Sequence, residues 1–211
     1  MAPVYTSGER IADAVIHVLG VTAGLVAVTA MLAAAVAYLP PGSTATLAIY
    51  GAAMLAMLGF SAAYHLAQAS RWQGLLRRLD HAAIFLKIAG TYTPFALLKI
   101  GGAGGYALLL SVWSVALLGA AGKLLLASTW DRVAIPLYLA LGWAGVVMLP
   151  PLAGSVTLIT LVLLAVGGSL YSIGVIFHVW RSLPYQNAIW HLFVLAGTGC
   201  HFGAVTTAAF T

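Results

Sequence analysis

IADAVIHVLGVTAGLVAVTAMLAAAVAYL, residues 11–39, decides the fold. It is apolar almost throughout and exceeds the roughly 20 residues a helix needs to cross a bilayer core. Ser7-Gly8-Glu9-Arg10 opens it and Pro40-Pro41-Gly42 closes it. The pattern then repeats along the chain. Residues 44–69 form a second span, closed by the polar run QASRWQGLLRR at 68–78. Residues 80–99 form a third, opened by Asp80 and His81 and closed by GGAGG at 101–105. A fourth covers 105–127 and a fifth covers 131–149, ending at Pro150-Pro151. The sixth covers 155–180 and breaks at Pro184; the seventh covers 186–210. The reading is an all-α membrane protein, a seven-transmembrane helix bundle in one domain over 1–211. Short connections predict that each helix packs antiparallel to its neighbour.

Composition supports this reading. Of 211 residues, 63% are hydrophobic and 6% charged. A soluble domain carries about 25% charged residues, so this chain cannot cover a water-facing surface. Six tryptophans and nine tyrosines suit the two membrane interfaces. The lone Cys200 excludes an internal disulfide. MAPVYTSGER at the start lacks the short apolar core and cleavage site of a signal peptide.

The net charge of +5 reads as a topology signal, not a nucleic-acid footprint. Arg10, Arg71, Arg77, Arg78, Lys123, Arg132 and Arg181 fall at the N-terminus or in alternate loops, and only Lys99 falls at the other side. The positive-inside rule therefore predicts a cytoplasmic N-terminus and an outside C-terminus.

Ionisable groups within a span are costly and mark functional sites. His17 lies early in span one and His65 late in span two. Asp80 and His81 start span three, His178 ends span six, and Asn187 and His191 start span seven. With alternating helix direction, all of these fall near one depth. At 1.5 Å per residue, His65 is roughly 9 Å inside the loop that follows it. Histidines and an aspartate converging from separate helices suit a divalent metal, and neutral imidazole suits zinc. Asp80 could orient or deprotonate water at such a site, or bind the metal itself. Ser61, one turn before His65, could hydrogen-bond water, substrate or a ligand. Each residue also has a plainer reading as an interhelical hydrogen bond or an interfacial charge. Lys87 could pair with Asp80, two turns earlier, or with another helix. His201 reads as a structural hydrogen-bonding group.

GERIADAVIHVLG at 8–20, SAAYHL at 61–66, LDHAAIFLKIAGTYTPF at 79–95 and AIWHLFVLAGTGCHF at 188–202 together resemble the hemolysin III family. That family belongs to the progestin and adipoQ receptor group. The resemblance spans nearly the whole chain, in order. It implies a bacterial inner (plasma) membrane protein with a zinc site. By that resemblance His65 and His191 are zinc ligands, Asp80 contacts the zinc-bound water, and Ser61 stands beside it. The third ligand position falls at Asn187, where bacterial relatives usually read histidine. Carboxamide oxygen is a weaker zinc ligand than imidazole. Three arrangements follow. Asn187 binds through oxygen, or Asp80 or His17 takes its place, or the polar cluster holds no metal.

The group implies two functions. One is zinc-dependent hydrolysis of a lipid amide, with a ceramide-like or fatty-acyl substrate drawn from the membrane. The other is a non-enzymatic sensor or regulator of membrane lipid homeostasis, with a structural or degenerate metal site. A retinal-type pump does not fit, because span seven has no lysine.

Overall fold

The computed structural model describes residues 5–67 and 70–211, apart from the side chains of 127–129, 131–132, 147–149 and 151. The last two residues of the expected second span and the Arg132 side chain therefore lie outside the described residues. Among the described residues the chain is helical, with no strand. Its helices are α1 (Ser7–Tyr38), α2 (Pro41–Leu66), α3 (Gln73–Pro94), α4 (Gly102–Leu125), α5 (Ala127–Trp143), the short α6 (Leu149–Ala153), α7 (Leu158–Val179) and α8 (Gln186–Phe210). A π-helical turn, Phe95–Ile100, extends α3. Six of these segments are long and apolar enough to cross a membrane. The fifth expected span corresponds to the shorter α5, so among the described residues six long apolar helices and one shorter one stand where seven spans were expected.

Two boundaries differ from expectation. Helix α3 starts at Gln73, not at residue 80. Gln, Leu and Arg are good helix formers, and the Ser70–Trp72 turn sets the start, with the Gln73 amide donating to the Ser70 carbonyl. Asp80 thus lies two turns inside α3 instead of opening it. The fifth span is interrupted after Trp143 by a 3-10 turn, Ala144–Met148. Tyr92 of α3 holds that break. Its hydroxyl lies 2.9 Å from the Leu141 and Gly142 carbonyls and accepts from the Gly145 amide at 2.6 Å. Irregular backbone at membrane depth is tolerated only where protein satisfies it in this way.

At the N-terminus Thr6 and Glu9 form a capping box: the Glu9 amide donates to Thr6 Oγ1, and the Thr6 amide donates to Glu9 Oε2. Pro41 opens α2 where its missing N–H costs nothing. Gly101 and Gly102 take positive φ, 63° and 54°, to turn the chain from α3 into α4.

The long helices pack in sequence, with α5 meeting α7, and α8 returns against α1, so the ring closes. Helix α3 touches α2, α4, α5 and α8, which makes it the most enclosed. The outer surface is apolar: Val18, Leu19, Val26, Leu110, Leu118 and Leu158 are all exposed. The polar groups are inside: Asp13, His17, Asp80, Lys87, Lys123 and His191 are buried. A water-soluble bundle has the reverse pattern; this one suits a lipid solvent. A cavity of about 710 Å³ runs through the interior.

Candidate metal centre

Four side chains from three helices meet at one wall of this cavity. Asp13 and His17 are one turn apart on α1, His65 is in the last turn of α2, and His191 is in the second turn of α8. Each offers a donor atom, and the four donors lie within 4.8 Å of one another. Asp13 Oδ1 is 2.6 Å from His191 Nδ1. Asp13 Oδ2 is 3.2 Å from His65 Nδ1 and 3.7 Å from His17 Nε2. The rings crowd each other: the His17 centroid lies 4.9 Å from that of His65 and 4.4 Å from that of His191.

Local folding explains the convergence. The i to i+4 spacing puts Asp13 and His17 on one helix face. Gly20 and Gly24, further along α1, let it approach its neighbours. A Cβ on Gly24 would fall 2.6 Å from Leu58 of α2, and one on Gly20 would fall 3.3 Å from Leu195 of α8. The small residues thus draw together the three helices that carry the donors.

The donor set fits zinc. Tetrahedral zinc with bonds near 2.0–2.1 Å needs ligand atoms about 3.3 Å apart, and the contacts to Asp13 bracket that spacing. Three imidazoles and one carboxylate are nitrogen and oxygen ligands of the type zinc takes. Among the described residues His17 Nε2 is buried with no hydrogen bond, 3.7 Å from Asp13 Oδ2. A buried polar nitrogen without a partner is rare and calls for one.

The predicted residues fall around this centre in different roles. His65 and His191 are in the four-residue cluster, joined by His17. Asn187, one turn before His191, is half-buried and lines the same cavity. Asp80 is buried and accepts a hydrogen bond from Ser61. Both Asp80 and Ser61 line the cavity. His81 and His178 line it too, outside the four-residue group; the His178 ring rests on Trp190, 4.9 Å between centroids. Asp13 was not anticipated. Its signal was the Asp-x-x-x-His spacing inside an otherwise apolar run, which puts two potential ligands on one face.

The comparisons with known proteins agree with the sequence motifs. The model of haemolysin-III related proteins matches residues 8–202. Hemolysin-3 homolog of Bacillus subtilis is 35% identical over 201 residues, 95% of this chain and 94% of the relative. Hemolysin-3 of Bacillus cereus is 35% identical over 197 residues, 93% of this chain and 90% of the relative. Human monocyte to macrophage differentiation factor is 26% identical over 166 residues, covering 74% of this chain and 67% of that protein. The family match takes in all four residues of the cluster, and the chain is a multi-pass membrane protein belonging to the haemolysin-III related family.

Proposed function

We propose that this membrane protein binds one zinc ion at His17, His65 and His191, with Asp13 holding the rings, and uses that centre to hydrolyse an amide bond of a membrane lipid. The observation that carries the metal is the buried Nε2 of His17, which makes no hydrogen bond among the described residues, beside two further imidazoles and a carboxylate. Zinc at such a site supplies Lewis acidity, which acidifies water and polarises a carbonyl. Asp80 is the general base: its carboxylate faces the cavity and takes the proton of the attacking water. Ser61 donates to that carboxylate and holds its orientation. Asp13, bonded to His191 and close to His65, orients both rings, as carboxylates do for metal-bound histidines. The cavity volume of about 710 Å³ falls in the range of ligand sites, and its wall is mostly apolar, as a lipid chain requires. The bias of basic residues supports a cytoplasmic N-terminus.

One observation favours a second reading. Four protein donors fill a tetrahedral site, which is the structural pattern; catalytic sites keep one position open. In that reading the metal ties α1, α2 and α8 together in a non-enzymatic regulator of membrane lipid. The deciding experiment has two parts. Elemental analysis of the purified protein should find about one zinc per chain. A ceramide should then be cleaved to fatty acid and base by the zinc-loaded protein, and not by Asp80→Asn. Zinc without cleavage supports the structural role, and absence of zinc ends both readings.

A further inference from the structure

Away from the metal cluster, Lys87 occupies another part of the cavity. It is 3% exposed, seven residues after Asp80 on α3, and lines the same space. Its ammonium donates to Tyr171 Oη at 2.7 Å and to His201 Nδ1 at 3.3 Å. The ammonium is a donor only, so His201 Nδ1 accepts from it. Tyr171 donates to Thr198 Oγ1 at 2.7 Å, and Thr198 donates to the Val194 carbonyl at 2.8 Å. Every partner is neutral and every bond runs away from the lysine.

The charge has no counterion among the described residues. The chain has four acids. Glu9 is bonded at Thr6 and Tyr185, Asp13 belongs to the metal cluster, and Asp80 is held by Ser61. The side chain of Asp131 lies outside the described residues. Among the described residues the Lys87 ammonium makes no third hydrogen bond, its Nζ lying 4.6 Å from the Tyr171 ring centroid, and the cavity it lines includes Ile84, Ile88, Leu164 and Val194. A buried cation in such a setting is costly unless something pairs with it.

We infer that Lys87, with Tyr171 and His201, is a second binding site in the cavity, taking the single negative charge of an amphiphile whose acyl chain lies along the apolar wall. One ammonium balances one anion, and neutral hydroxyl and imidazole neighbours add no further charge. A carboxylate ending an acyl chain and a lipid phosphodiester share that chemistry. The assignment does not require the metal.

The test uses the full-length protein in nonionic detergent, treated with chelator so that no metal competes for the anion. Equilibrium binding is measured for laurate, lauroyl-lysophosphatidylglycerol and dodecanol, which share a chain and differ in headgroup. At least one acid should bind roughly tenfold or more tighter than dodecanol, the ratio expected of a charge-assisted hydrogen bond. The tighter acid names the source of the anion. Lys87→Met should abolish the preference, with its melting temperature reporting folding, and Lys87→Arg should keep part of it. Laurate carrying a diazirine beside its carboxyl gives a readout on the native chain: crosslinks should map to α3, α7 and α8 near Lys87, Tyr171 and His201. Equal binding of acids and alcohol, a preference surviving in folded Lys87→Met, or crosslinks confined to the metal cluster would overturn the assignment.

Discussion

Asp13 and His17 reach the same centre from successive turns of α1, with Asp13 Oδ2 3.7 Å from His17 Nε2. The pair brings to the centre a helix that the histidines of α2 and α8 do not account for. Removing it should be felt in metal retention before it is felt in folding. Asp13→Asn keeps the shape and removes the charge. Zinc affinity should fall about 10–100-fold, the cost typical of losing an orienting carboxylate, or further if Asp13 binds the metal directly. His65→Ala and His191→Ala should lose the metal outright. Competition with a chelator of known affinity measures all three.

Asn187 gives a sharper test of the same geometry. It stands one turn before His191 and lines the cavity, yet Asp13 and His17 already bring the donors to four. Asn187→His should therefore leave zinc stoichiometry at about one per chain. It should also restore part of the affinity lost in Asp13→Asn, because an added imidazole can bind beside the remaining three. If the native chain holds no zinc and Asn187→His does, position 187 is required and the cluster is not a working site. Elemental analysis of the four chains separates these outcomes.

Acid should release the metal. Imidazole must be unprotonated to bind zinc, so protons and metal compete for the same nitrogens. A ligand that binds only the folded state stabilises it. The zinc-linked gain in melting temperature should thus be full at high pH and should shrink as pH falls through the histidine range. Melting curves with zinc and with chelator, taken from pH 8 to pH 5, should converge at the acid end. A gap that stays constant would argue that histidines do not hold the metal.

Tyr92 satisfies backbone groups where α5 breaks, so Tyr92→Phe removes the hydroxyl that links the Gly145 amide to the Leu141 and Gly142 carbonyls. Hydrogen bonds within membranes are worth less than the burial of polar groups suggests, because the unfolded chain finds other partners. The loss should be about 0.6 kcal/mol and at most about 1.7 kcal/mol, read as a lower melting temperature with metal content unchanged.

The helices were legible because lipid imposes a length and a composition on each span, and Pro40, Gly101 and Pro184 fall at breaks between them. The start of α3 was not. Its first turns, Gln73 to Arg78, carry polar residues that end a membrane span without ending a helix. Position in depth was legible for His17, His65 and His191, since alternating helix direction fixes which ends share a face. Asp13 escaped because nothing in a single run says that its neighbours three-dimensionally are histidines of α2 and α8. The partners of Lys87 escaped for the same reason: α3 meets Tyr171 and His201 only after the ring of helices closes.

Glycines separate packing from propensity. A Cβ on Gly90 of α3 would fall 2.7 Å from Ala53 Cβ and 3.7 Å from the α2 backbone at Ile49 and Tyr50. Neither a methyl nor a backbone can swing aside, so Gly90→Ala must push α2 and α3 apart. Overpacking of this kind costs about 1–3 kcal/mol. Gly59 of α2 is the control, because a Cβ there meets nothing within 4 Å. Gly59→Ala should instead gain about 0.4–1 kcal/mol by restricting the unfolded chain. Because α2 carries His65, the Gly90→Ala separation should also weaken zinc, whereas Gly59→Ala should leave it alone. Melting temperature and metal retention in the same detergent decide it: equal behaviour of the two variants would mean that α2 and α3 are not in tight contact at Gly90.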